Sequence, residues 1–153
     1  MPHTEQAQKK IEKVSSAGMS SCKVCLRPIE KNESCIKIAM SPARTCYIHD
    51  KCVSNKILAA FEAAADKQQG AEPFNQSFLF PKMEQDSYSG LELHVRSGSR
   101  AVQCFCCGKA INKPELHLHF TMYHSRAYSH YGCLKKLVIG GRETRRKSLA
   151  TTI

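Results

Sequence analysis

Hydrophobic and polar residues alternate in two short stretches, Ile36-Lys37-Ile38 and Leu118-His119-Phe120, and a period of two predicts a strand at each. A different pattern begins at Val53. Val53, Ile57, Leu58 and Phe61 fall on one face at helical spacing, and Ala63-Ala64-Ala65 adds propensity. A helix is therefore predicted to about Gln69, just before Gly70, and a shorter one is expected to stop at Gly140-Gly141. Residues 70–90 contain Pro73, Pro81, Gly90 and several Ser and Gln, and read as a linker. Its Phe74, Phe78, Leu79 and Phe80 are apolar enough to pack on a neighbouring module. The first dozen residues are polar, with Ile11 and Val14 at helical spacing, and read as a frayed helix or a tail.

Both strand patterns sit inside one larger frame. Cys22-x-x-Cys25 is followed after 23 residues by His49-x-x-Cys52, and Cys104-x-x-Cys107 after 22 residues by His130-x-x-Cys133. Two thiolate pairs, each completed by an imidazole and a third thiolate, are a donor set that suits tetrahedral Zn²⁺. The His-x-x-Cys half is expected at the first turn of a helix, where residues three apart share a face. Similarity extends beyond the ligands: Ile29 aligns with Ile111, Lys31 with Lys113, Glu33 with Glu115, Ile36 with Leu118 and Ile38 with Phe120. After a one-residue deletion, Tyr47-Ile48-His49 matches Tyr128-Ser129-His130, and upstream Val14-Ser15-Ser16 matches Val95-Arg96-Ser97 with a one-residue shift.

The expected fold class is a small, metal-stabilised α+β protein built from two repeated zinc modules. Residues 1–12 are the tail or frayed helix, 13–69 the first module with its long helix, 70–90 the linker, 91–141 the second module and 142–153 a basic tail. Modules of this size bury too little apolar surface to hold together without a staple. Zinc is the expected one, two ions per chain. The cysteine count of nine is odd, the C-x-x-C pairs are close for structural disulfides, and MPHTEQAQKK does not resemble a secretory signal. No apolar run approaches the roughly 18 residues of a membrane span. A reducing compartment is expected, the nucleus first and the cytoplasm as the alternative.

Three other cysteines need placing. Cys104 and Cys107 match the first frame, which leaves Cys106 as a spare thiol; Cys35 and Cys46 have no counterpart in the second frame and read as small packed residues. His117 and His119 share a strand face and read as exposed histidines, and His124 lacks the Cys three residues on that His130 has. With four protein ligands, neither site has an open position for substrate or activated water, so both read as structural. No nucleotide-binding Gly loop, nucleophile elbow or paired-carboxylate motif is present, and the expectation is a non-enzyme without a small-molecule substrate.

Charge separates the two frames. Of the net +10, residues 96–153 supply +9, with eleven basic residues against two acidic. Such a surface suits a polyanion. Arg100, Lys109, Lys113, Arg126 and the tail residues Arg142, Arg145 and Arg146 are the candidate phosphate contacts, with Met122 and Tyr123 (Met40 and Pro42 in the first frame) as candidate stacking residues. Met40 reads equally as core. The run Arg145-Arg146-Lys147 also fits a nuclear import signal.

These motifs resemble the zinc fingers of the poly(ADP-ribose) polymerase type, which sense DNA breaks. Ser15 to Cys25 and Val95 to Arg100 are similar to that family's approach to its first Cys, Ile38-Ala39-Met40-Ser41-Pro42 to the end of its second strand, and Tyr47-Ile48-His49 and Tyr128-Ser129-His130 to the entry of its helix. The resemblance implies zinc coordination by the eight residues above and DNA as the polyanion, in preference to RNA. The chain departs from the family in its shorter gap between half-sites, in having no Trp, and in carrying Met19 where the family has Arg. An alternative is a protein-interaction adaptor, LIM-like in role, whose partner surface is the first helix or the Phe-rich linker.

Overall fold

A computed structural model describes residues 9–41, 44–68, 74–80, 90–97, 101–112, 115–122 and 124–139. It is a small α+β structure made mostly of strands. β1 (Lys10–Ser15), β4 (Ser34–Ser41) and β5 (Arg44–His49) form an antiparallel sheet in the order β1-β4-β5. Between β1 and β4, the two-residue strands β2 (Ser20–Ser21) and β3 (Pro28–Ile29) pair across the first Cys-x-x-Cys turn. A helix over residues 50–68, α1, follows β5 directly.

The remaining strands are β6 (Phe74–Leu79), β7 (Leu91–Ser97), β8 (Val102–Gln103), β9 (Ala110–Ile111), β10 (His117–Met122) and β11 (Ser125–Ser129). The second sheet runs β11-β10-β7-β6, β8 pairs with β9 across the second Cys-x-x-Cys turn, and a helix over residues 131–139, α2, follows β11.

Three stretches differ from the expectations. The N-terminal segment enters the fold as a strand: Ile11 lies opposite Ile38 and is 1% exposed, so cross-strand packing overrides the helical spacing of Ile11 and Val14. Within the stretch read as a linker, β6 pairs with β7 along its length, and Phe74, Phe78 and Phe80 pack against the core. The long helix is not uniform. It is α-helical over Asp50–Cys52, widens to a π-helix over Val53–Leu58, and returns to α over Ala59–Gln68. The wider i→i+5 turn brings Val53, Ile57 and Leu58 all into the core immediately after a candidate ligand, Cys52.

One hydrophobic cluster joins both sheets and both helices, with Ile36, Ile38 and Ile48 from the first sheet, Leu93, Leu118 and Phe120 from the second, and Ile57 and Leu134 from the helices. Polar contacts reinforce the junction. The Ile11 N–H donates to the Phe105 carbonyl at 3.1 Å, tying β1 to the second Cys-x-x-Cys turn. Lys13 Nζ donates to the Val138 carbonyl at 3.1 Å, near the C-terminal end of α2 where a cation is favoured, and lies 3.4 Å from Asp50 Oδ2. Phe61 of α1 stacks on Tyr131 of α2 with centroids 4.5 Å apart, and the Tyr131 hydroxyl donates to Glu62.

Candidate metal centres

Each centre is built by a tight turn and a strand-to-helix junction. In the first, the Cys22 N–H donates to the Arg27 carbonyl and the Leu26 N–H to the Cys22 carbonyl; in the second, Cys104 to Lys109 and Gly108 to Cys104 repeat the same bonds. The turn needs a left-handed residue before its return strand. Leu26 takes it at φ 66° and Gly108 at φ 78°. The turns are fixed to their sheets by Lys23 donating to Tyr47 and Phe105 to Tyr128. His49 ends β5 and sits just before the helix without a side-chain capping bond, and Cys52 follows in the first turn. His130 likewise lies between β11 and α2, with Cys133 inside α2. The histidines thus precede the helices; the expected position inside the first turn applies to the cysteines alone.

The fold brings together Cys22, Cys25, His49 and Cys52 in one group and Cys104, Cys107, His130 and Cys133 in another, with the donor atoms of each group within 4.8 Å of one another. His49 Nδ1 is 3.3 Å from Cys25 Sγ and 3.8 Å from Cys52 Sγ; His130 Nδ1 is 3.5 Å from Cys107 Sγ and 3.6 Å from Cys133 Sγ. A tetrahedron with Zn–S near 2.3 Å and Zn–N near 2.0 Å has an S···N edge of about 3.6 Å. The spacing therefore fits zinc, and each cluster can hold one ion, two per chain.

The surroundings suit a centre that formally carries about −1 once three thiolates and a neutral imidazole bind Zn²⁺. Cys22 Sγ accepts N–H groups from Val24 and His49, both at 3.4 Å, and Cys104 Sγ accepts from Cys106 at 3.3 Å and His130 at 3.4 Å. The outer nitrogen of each imidazole faces an acceptor. His49 Nε2 donates to the Pro28 carbonyl at 3.2 Å and lies 3.9 Å from Glu33; His130 Nε2 lies 3.9 Å from Glu115. An acceptor on the outer nitrogen of a metal-facing histidine orients the ring. Glu33 and Glu115 are the aligned pair noted above, so the sequence alignment itself carries a signal for this placement.

The sulfurs resist ionising together. Hydrogen bonding with Cys106 and then with backbone N–H groups, which outweighs burial, holds Cys104 down at about 3, whereas burial and then the Cys104 charge push Cys133 up to about 12. Burial and then the Cys22 charge push Cys52 up to about 12 in the same way. A dication that accepts all three thiolates removes the conflict. Cys106 stays outside the second group, its Sγ 3.3 Å from Ser129 Oγ, and contact with Cys104 and burial hold its pKa up. Cys35 and Cys46 are buried away from both groups, and burial pushes Cys46 up to about 12.

The other candidate residues fare differently. Lys109 and Arg126 are exposed, on the second Cys-x-x-Cys turn and on β11. Arg100, Lys113, Arg142, Arg145, Arg146, Tyr123 and Pro42 lie outside the described residues. Met40 and Met122 are each 2% exposed and pack in the core, which removes both as stacking residues. His117 and His119, read as exposed, are 7% and 4% exposed. The strand alternation located their face correctly, but Tyr128 and His94 flank that face and cover it. No protein-family model matches the chain, and no curated protein matches it.

Proposed function

We propose that this chain is a non-enzymatic zinc protein of the nucleus that binds nucleic acid, DNA in preference to RNA, through its second unit. The observation that carries the reading is the charge of residues 96–153, eleven basic residues against two acidic, attached to a unit held rigid by its own candidate metal centre. Exposed Lys109 and Arg126 belong to that set. Four protein donors per centre favour a structural role for zinc over a catalytic one. The resemblance to poly(ADP-ribose) polymerase-type fingers points to the same ligand class.

We also infer that the two halves are a duplication. The pairing β1-β4-β5 parallels β7-β10-β11, and each pair of turn bonds differs by one constant offset in numbering. Ile11 opposite Ile38 parallels Leu93 opposite Phe120, so Val14 corresponds to Arg96 and not, as a one-residue shift would have it, to Val95. Filter binding at low salt tests the functional reading. Affinity that falls steeply with salt is expected; no binding to DNA or RNA refutes it.

A second reading, a protein-interaction adaptor, has its own support. Met19 and Leu79 are 92% and 77% exposed, and an open groove that takes in the ligands Cys25, His49 and Cys52 of the first centre is flanked by Arg27, Glu30, Glu33 and Asp50. A pull-down that survives nuclease and high salt favours it.

A further inference from the structure

We propose that the outer face of the second sheet, where Arg96 and Arg126 flank the row His94–His119–Tyr128, is the surface that docks nucleic-acid phosphates. The proposal rests on the nucleic-acid reading above and names its site.

Strand register defines the face. His119 of β10 lies opposite His94 of β7 on one side and Tyr128 of β11 on the other, and the ring centroids are 5.3 and 4.7 Å apart. Arg96 is two residues from His94, and Arg126 two from Tyr128, so all five side chains share one side of the sheet. Leu93, Leu118 and Phe120 point to the other side and form core.

This face is electrostatically incomplete. Arg96 Nη1 donates to His119 Nδ1 at 3.2 Å, which makes Nδ1 an acceptor and places the ring proton on Nε2. That Nε2 and His94 Nδ1 are buried, and neither has a hydrogen-bond partner among the described residues. Arg96 is half-buried, and among the described residues no carboxylate pairs with it or with Arg126. The nearby Glu92 is taken up by His94 at 3.4 Å and Thr121 at 3.5 Å. A half-buried guanidinium without a counter-ion favours an anion from outside, whereas the His119 Nε2 is enclosed and takes no part in that contact. Burial, then repulsion from neighbouring groups that include the Arg96 and Arg126 guanidiniums, holds His119 down at about 3, so it stays a neutral acceptor for Arg96 near neutral pH.

The spacing selects a polymer over a free ion. Arg96 and Arg126 are two strands apart and four residues apart in level, roughly 16 Å from strand geometry. They cannot grip one phosphate together, but they can grip separate phosphates of one backbone. The first sheet differs at the corresponding positions: Lys10 and Glu12 pair at 3.4 Å, and Val14 stands where Arg96 does. His119 is here a positioning residue, aiming Arg96 with its remaining N–H donors outward.

The test is fluorescence anisotropy of the full zinc-loaded chain with a labelled 20-nucleotide strand and its duplex, at several salt concentrations. Arg96→Gln with Arg126→Gln should weaken binding about tenfold or more and shrink the log–log salt slope by roughly 1.4–1.8, the loss of two phosphate contacts. Lys23→Gln with Lys31→Gln should change neither. His119→Leu should weaken binding several-fold in the native background and add nothing in an Arg96→Gln background. Inorganic phosphate should not compete at millimolar concentration. Two zincs per chain by native mass spectrometry confirm that each variant is folded; Arg126→Gln alone, on an exposed residue, should shrink the slope by roughly 0.7–0.9 where the double variant does not fold. If the native chain binds but the arginine variants keep its affinity and slope, the face is wrong and the functional reading stands. If the native chain shows no salt-dependent binding, the functional reading fails first.

Discussion

Replacing Cys107 with Ser takes one exposed sulfur from the second centre and opens no cavity in the core. Its effect should nonetheless reach the first sheet. Structural zinc in small modules supplies about 10–16 kcal/mol of folding free energy, and a site weakened at one of four ligands forfeits a large part of it. The second unit then unfolds or frays, and its contacts to the first go with it. The Ile11 bond to Phe105 is worth about 1 kcal/mol, the charged Lys13 bond to Val138 about 2, the Phe61–Tyr131 stack about 1, and the exposed Tyr131–Glu62 bond about 1. Together these remove about 5 kcal/mol from a unit whose whole stability, for a domain this small, is of the order of 5–15 kcal/mol. Native mass spectrometry should show one zinc in place of two, and urea unfolding followed by circular dichroism should shift as a single transition. Hydrogen exchange decides the point: amides of β1 and β4 should lose protection by roughly several thousand-fold, the equivalent of about 5 kcal/mol. If they keep native protection while the second unit exchanges freely, the two units are independent and the junction contributes little.

Three further outcomes follow from the geometry. Gly108→Ala should lower stability by about 1 kcal/mol in a urea melt, because φ is 78° and nothing lies within 4 Å of the added methyl, so the loss is conformational strain alone. Lowering the pH from 7.5 to 5.5 should remove about 1.4 kcal/mol through His119. Its folded pKa, held down at about 3, lies below the unfolded value near 6.5, so the unfolded state gains the proton first and stability falls with acid through that window. His119→Leu should flatten this part of the pH profile, and an unchanged slope would show that the ring is solvated in the native state. Cys46→Ala should leave two zincs per chain in native mass spectrometry while lowering stability through lost packing, since Cys46 is 1% exposed and outside both clusters.

The metal centres were legible because their geometry is nearly covalent. A two-residue spacer between cysteines and a His-x-x-Cys half leave few ways to place four donors, so ligand spacing reaches the three-dimensional site with little help from packing. The long helix and the two alternating strands were legible from periodicity. Residues whose place depends on a partner were not. Ile11 and Val14 satisfy a helical spacing over four residues, and only the pairing of Ile11 with Ile38 makes them a strand. Phe74 and Phe78 sit among turn-forming residues, and β7 alone supplies the edge that orders them. His117 and His119 were placed on the correct face of their strand and assigned the wrong exposure. Alternation tells which side of a sheet a residue faces; it does not tell whether the residues across the neighbouring strands cover it.

That distinction bears on where function resides. The two centres share their turn bonds, their histidine-facing sulfurs and a glutamate behind each imidazole, down to a left-handed residue at the same place in each turn. Their ligand sets match, apart from the Pro28 carbonyl on His49 and Cys106 beside Cys104. The two halves differ on the outer faces of their sheets. One carries a paired Lys10 and Glu12 with Val14; the other carries Arg96, Arg126 and three histidine or tyrosine rings in a row, without a counter-charge for its guanidiniums among the described residues. If the two halves are a duplication, as inferred above, the exposed outer-face positions of each sheet are the ones free to diverge, because a change there leaves the ligands in place. On the proposal that the second face takes nucleic-acid phosphates, its two arginines, and not the eight ligands, are the residues whose loss should weaken binding while leaving the fold and its two zincs in place.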